Sequence, residues 1–174
     1  MKLSIVIPAY NEEESIAETI DQIEEAFAKV NIDHEIYVVN DNSKDNTLQV
    51  LEQLVQKYPA LTYGTNLGPN GFGYAVRYGL ERFSGDCVAV MMADLSDSPY
   101  DLIRYYTTMV EGNYDGPVVL EVIGAQQLDL AQCTAIASER PGKSRRVCSM
   151  ANPISLSCHF SFSPANGLGS LSRT

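Results

Sequence analysis

The chain has 174 residues, 45% of them hydrophobic, and a formal charge of −10. That length supports one domain or slightly more with a real core, and no run reaches the ~18 apolar residues of a membrane span. The charge opposes nucleic-acid binding through phosphates, and four cysteines without CxxC spacing, beside only two histidines, argue against a zinc site or disulfide framework.

Met1 to Pro8 carries one charge and then a short apolar run, lacking the longer apolar region and cleavage site of a signal peptide. The expectation is a chain that folds from its second residue in the cytoplasm. Leu3 to Ile7 is β-branched and stopped by Pro8, so it reads as a first strand. Asn11 followed by Glu12, Glu13 and Glu14 has the chemistry of a helix start, with acids favourable to the dipole. Ile16, Ile20, Ile23, Phe27 and Val30 then form one helical stripe.

Glu35 to Val39 is a second strand, ending in the polar turn from Asn40 to Asn46. Thr47 opens a helix with Leu48, Leu51, Leu54 and Val55 inward, and Leu61 to Thr65 is a weaker third strand. The loop from Asn66 to Gly73 has residues suited to positive φ. Ala75, Val76, Gly79, Leu80 and Phe83 mark the next helix.

Cys87 to Met92 is an apolar run that stops at Asp94 and Asp97, and it reads as a buried parallel strand. Ser98, Pro99 and Asp101 begin a helix that continues through Ile103, Tyr106 and Val110 and stops at Gly112. Pro117 to Leu120 fits one more strand, and Leu128 to Ile136 carries a weak helical run.

Strand and helix alternate, which predicts an open, mostly parallel α/β sheet with helices on both faces and right-handed crossovers. Ligands of such sheets bind beyond the carboxyl ends of the strands. Three of the four loops there carry carboxylates: Glu12, Asp41 and Asp94. A nucleoside diphosphate lying across them would find a flat wall in Tyr10, and in Glu12 or Asp41 acceptors for ribose or base. The only basic residues nearby in sequence are Lys44 and Arg77, so a divalent cation on Asp94 would supply the missing positive charge. Blander roles exist for each residue. Asp94 fits a turn cap, Asp97 or Ser98 a helix cap, Glu12 a first-turn acid, and Asp45 an N-cap rather than a ligand. The Gly71 and Gly73 pair matches no phosphate-loop spacing, and Tyr105 and Tyr106 read as packing.

Four ordered motifs, Ser4 to Glu13, Val38 to Thr47, Asn66 to Gly68 and Met92 to Asp97, resemble glycosyltransferase family 2 over about residues 2–115. Within it the chain is similar to the dolichyl- or polyprenyl-phosphate mannosyl- and glucosyltransferase branch. The resemblance implies a GT-A fold, Rossmann-like in layout, a GDP- or UDP-sugar donor, and Mg²⁺ or Mn²⁺. It also implies inverting transfer to a polyprenyl phosphate or cell-envelope glycan, at the cytoplasmic face of a membrane. It places Pro8, Tyr10, Glu12, Val39, Asp41, Ala93 and Asp94 in the nucleotide-sugar pocket, and assigns no catalytic base. Two positions depart from the pattern. Asn40 stands where the family has the first of two aspartates, and Met92 stands where the metal motif has its first. A thioether is a poor ligand for a hard cation, so metal binding rests on Asp94, with Asp97, and on the diphosphate itself.

The family's Gly-x-Arg stretch does not follow Leu120, and composition changes near the same place. Residues 1–116 hold 19 acidic and 7 basic side chains, a balance of −12, while residues 117–174 hold 3 and 5, a balance of +2. All ten tyrosines precede Gly116. The division expected is a nucleotide-sugar-binding half, 1–116, and an atypical, largely irregular tail, 117–174, from an altered frame, a truncated gene or an unrelated extension. Two other readings compete: a donor-binding remnant without the acceptor half, and a nucleotidyltransferase. The last would need a Gly-rich basic loop after the first strand, where this chain has Pro8 to Glu12.

Overall fold

A computed structural model describes residues 1–111 and the backbone of residues 119–121. In chain order the elements are β1 (Leu3–Ala9), α1 (Ile16–Phe27), β2 (His34–Asn40), α2 (Thr47–Lys57), β3 (Leu61–Thr65), α3 (Phe72–Leu80), β4 (Cys87–Val90), α4 (Pro99–Glu111) and β5 (Val119–Glu121). The strands form one sheet in the order β3-β2-β1-β4-β5, and neighbouring strands pair in parallel. All strands therefore end on one rim. Order reverses between β2 and β4 around β1, which makes the crevice there the expected ligand position.

Each face has its own core. Leu3, Ile5 and Ile7 of β1 and Cys87 and Ala89 of β4 pack with α1, α2 and α4, whereas Val6, Val39, Val88 and Val90 pack with α3. Residues alternate between the two faces, as the period of a strand requires. Gly79 lets α3 settle close to the sheet: a Cβ there would stand 2.4 Å from Val6 Cγ1 and 3.2 Å from Val39 Cγ2.

Several expectations need correction. Helix α1 starts at Ile16, with Ser15 as N-cap, rather than just after Asn11. Asn11 has φ 57° and accepts a hydrogen bond from Lys44 N at 2.8 Å, so its amide joins two loops. Helix α4 buries Leu102, Tyr106 and Met109, while Ile103 is half-buried and Val110 is exposed. The steps from β1 to β2 and β2 to β3 carry helices on one face, and the opposite step from β3 to β4 carries α3 on the other, so these three share a hand. Helix α4 packs on the α1 face. The α4 seam holds it there, with Tyr106 Oη donating to Met1 O at 2.6 Å and Lys29 Nζ of the α1 side donating to Tyr100 Oη at 3.0 Å. The Gly112 stop and the weak run at Leu128 to Ile136 lie outside the described residues.

At the opposite end of the sheet, Glu35 forms a clasp that local sequence gave no sign of. Its carboxylate accepts from Lys2 Nζ at 2.7 Å and Ser4 Oγ at 2.6 Å, and from both the main-chain N–H and the hydroxyl of Ser84. Burial alone would raise its pKa, but the bonds from Lys2, Ser4 and Ser84 override that and hold it at about 2. The sign follows from linkage. A depressed carboxylate contributes stability above its unfolded value of 4.5 and loses it as pH falls toward 2. Urea unfolding of wild type should therefore show stability declining over that window. Glu35→Ala should cost about 1–3 kcal/mol at neutral pH and flatten the decline; an unchanged acid slope would contradict this role.

Candidate functional site

The rim is built from the ends of β1, β2, β3 and β4. The loops after β1 and β2 are stitched together. Asn11 N donates to Ser43 Oγ at 3.1 Å, Glu12 N to Thr47 Oγ1 at 2.8 Å and Glu13 N to Asp45 Oδ2 at 3.1 Å. Glu13 returns the contact, accepting from Asn46 N at 2.8 Å and Asn46 Nδ2 at 2.6 Å. Asp45 also accepts from Thr47 N at 3.0 Å, so it caps α2 from one residue before the N-cap, Asn46. Sequence makes Asp45 the N-cap; the structure gives that position to Asn46 and sets Asp45 one residue earlier, where it still accepts from Thr47 N and adds the link to Glu13. Asn11 and Asn42, both at φ 57°, give these loops their tight turns. An open cleft of about 550 Å³ lies beside the seam, lined by Asn11, Glu12 to Ser15, Lys44 and Asp45.

The anticipated pocket residues divide by exposure. Tyr10 is 53% exposed, Glu12 is half-buried and Asp94 is exposed. Glu12 accepts from Ser15 Oγ at 2.6 Å, which makes it part of the entry to α1 as well. Asp41, Pro8, Val39 and Ala93 are buried. Val39 points into the α3-side core and presents no side-chain surface to the rim. Parallel strands are apolar on both faces, so the pattern did not disclose this direction. Ala93 contributes its carbonyl, which accepts from Thr19 Oγ1 at 2.8 Å and ties the β4 end to α1.

Asp41 N donates to Ala9 O at 2.8 Å, continuing the ladder beyond β1. The Asp41 carboxylate accepts from Asn66 Nδ2 at 2.7 Å and from Gly71 N at 2.6 Å, anchoring the loop between β3 and α3. Gly71 sits at φ 130°, where a side chain is strained, and its carbonyl receives the first turn of α3 from Ala75 N. Asn40 is 2% exposed and accepts from Ser43 N at 3.0 Å, so it organises the turn after β2.

Beyond β4 the chain makes one tight, strained turn. Asp94 Oδ1 accepts from Ser96 N at 3.0 Å, and Leu95 adopts φ 65°, unusual for a bulky residue. Asp97 turns inward: it is 8% exposed, and its Oδ2 accepts from Met92 N at 2.7 Å, closing the turn. Hydrogen bonds from Ser96 hold the Asp94 pKa below the usual carboxylate range despite some burial. Burial raises that of Asp97 against the Met92 bond, and the charge of Asp94 adds to the rise. The two carboxylates thus differ in kind: Asp94 faces solvent ionised, and Asp97 shapes the loop. Among the described residues, no three His, Cys, Asp or Glu side chains converge as a metal site. The donor set fits a hard cation that brings most of its own oxygen ligands, with Asp94 as the protein's contribution. Arg77 Nε donates along its helix to Glu81 at 3.2 Å and Lys44 Nζ to Asn42 at 3.2 Å, so among the described residues the rim is poor in aimed cations.

A family model described as "Glycosyl transferase family 2" matches residues 4–129. The chain belongs to glycosyl transferase family 2. The family match runs past the composition boundary at residue 116. Among curated relatives of this family, a dolichol-phosphate mannosyltransferase from Pyrococcus furiosus is 38% identical over 99 residues, covering 57% of this chain and 27% of that protein. An undecaprenyl-phosphate 4-deoxy-4-formamido-L-arabinose transferase from Pseudomonas fluorescens is 33% identical over 114 residues, 63% of this chain and 33% of that one. The chain thus spans about a third or less of the length of these relatives. The solved structure of S. aureus TarS 1–349 superposes with a TM-score of 0.55 at 24% identity, over 74% of this chain and 37% of that one, which establishes the shared GT-A fold. Among the described residues no helix is long and apolar enough to cross a membrane.

Proposed function

We propose that residues 1–116 are the nucleotide-sugar-binding half of an inverting glycosyltransferase that transfers a sugar from a GDP- or UDP-sugar to a polyprenyl phosphate or cell-envelope glycan. The observation carrying this reading is the shared rim: Tyr10, Glu12, Asp41 and Asp94 all follow strand ends of one parallel sheet, flanking the point where strand order reverses. The names of the relatives support the acceptor class.

In this reading Tyr10 gives the base a flat exposed wall, Asp41 accepts from a base N–H, and Glu12 accepts from ribose hydroxyls. Asp94 holds Mg²⁺ or Mn²⁺, which supplies neutralisation of the negative charge on the leaving diphosphate. Asp97 acts through the turn it closes rather than as a ligand. The rigid stitched loops fix the donor's orientation, which is where a transferase gains rate without supplying charge of its own. Sequencing the parent DNA across codon 116 tests whether another frame restores the family pattern beyond it.

Calorimetry with UDP- and GDP-sugars, with and without Mn²⁺, tests the binding role. Metal-dependent binding of at least one donor is expected, and no binding to any would end the transferase reading. Binding without transfer to a polyprenyl phosphate would favour the donor-binding remnant.

A further inference from the structure

Asp41 is 3% exposed, and the loop after β3 engages its carboxylate. Besides the bonds from Asn66 and Gly71, Asn70 Nδ2 donates to Asp41 Oδ1 at 3.3 Å and to the Asp41 main-chain oxygen at 3.0 Å. The three donors are unequal. Gly71 N belongs to the start of α3, and Asn66 is 6% exposed, with its amide donating also to Pro69 O and its Oδ1 accepting from Gly68 N. Removing either would strand buried polar groups. Asn70 is exposed, and its bond to Oδ1 is the longest of the three to the carboxylate.

We infer that the Asn70 amide is an internal stand-in for the ring N–H of a nucleobase, and that an incoming uracil or guanine displaces it from Asp41. The inference rests on the reading of the rim as a nucleoside-diphosphate site. The Asn70 NH₂ donates to the main-chain oxygen and to Oδ1 of Asp41, and the bond to Oδ1 is the one that the single ring N–H of uracil N3 or guanine N1 would replace. Cytosine and adenine present a lone pair at the equivalent ring nitrogen, so acceptor would face acceptor. Asn70 would then do two things. It keeps a nearly enclosed carboxylate paired when no donor is present, and it sets a threshold that only a base bearing the ring N–H overcomes fully.

The test is calorimetry of the whole chain and of Asn70→Ala with UDP, GDP, CDP and ADP, each with Mn²⁺. Asn70→Ala should bind UDP or GDP about two- to five-fold tighter, the equivalent of one solvent-exposed hydrogen bond no longer competing, while CDP and ADP stay unchanged. An equal change for all four nucleotides, no change, or weaker binding would overturn the inference and leave the rim reading standing. A wild type that binds none of the four would remove that reading, and the inference with it. Side-chain amide spectra give a second readout: adding UDP should move the Asn70 NH₂ resonances toward their free position and leave those of Asn66 bonded. An unmoved Asn70, or release of Asn66 instead, counts against displacement.

Discussion

Asp94→Ala is expected to abolish Mn²⁺-dependent nucleotide binding, by at least about 100-fold, while leaving unfolding within about 0.5 kcal/mol of wild type. The two halves of this expectation come from one geometry. Asp94 is exposed, and its hydrogen bond from Ser96 N closes a local turn, so the fold loses little. It is also the outward carboxylate at the end of β4, with its pKa held low and, among the described residues, Arg77 and Lys44 bonded elsewhere. Asp45→Ala is the control. It removes the cap on Thr47 and the bond from Glu13, so it should cost about 1 kcal/mol of stability with no effect on the metal requirement. Titrating Mn²⁺ at fixed nucleotide separates the two variants; equal effects would contradict the division of roles.

Asp41→Ala should be among the most damaging single changes on the rim. It takes the acceptor from Asn66 Nδ2 and Gly71 N, both in the loop that launches α3. Stranding one buried donor costs about 1–3 kcal/mol, so a loss of about 2–4 kcal/mol is expected for the pair. For a domain of about 100 residues each kcal/mol moves the Tm by roughly 4–8 °C, so the drop should be at least about 8 °C. Amide exchange should quicken first over residues 66–75, ahead of β1 and β2, and nucleotide binding should fall with it. A variant of wild-type Tm and unaltered exchange in that loop would show that Asp41 does not anchor it.

Much of the layer plan was legible because buried parallel strands are short apolar runs closed by turn residues. Leu61 to Thr65 matches β3 at both ends, and the stripe from Ile16 to Val30 starts where α1 does but overruns its end at Phe27. What sequence hid was long-range partnership. Local capping rules made Asn11 a helix start, but its amide and that of Asn46 answer to loops more than thirty residues away. In α4, both the 103/106/110 and 102/106/109 sets have helical spacing, and only the tilt against α1 chooses the second. Glu35 gave no signal at all, since its partners Lys2, Ser4 and Ser84 lie 31 to 49 positions off. The rim carboxylates were nameable from sequence, whereas their directions were not. Asp94 points out and Asp97 in because Met92 N sits behind the turn.

Strand order also has a consequence during synthesis. β1 gains β2 as a neighbour early, but its other edge pairs with β4, where Leu3 lies opposite Cys87. At about 5–20 residues per second, a ribosome leaves that edge bare for roughly 4 to 17 seconds. Throughout that interval the strand destined for the middle of the molecule is a border, apolar on both sides and with unmet backbone groups. Such borders recruit other chains. The newborn protein is therefore most exposed to misassociation after β2 has emerged and before Cys87–Val90 arrives to close the gap.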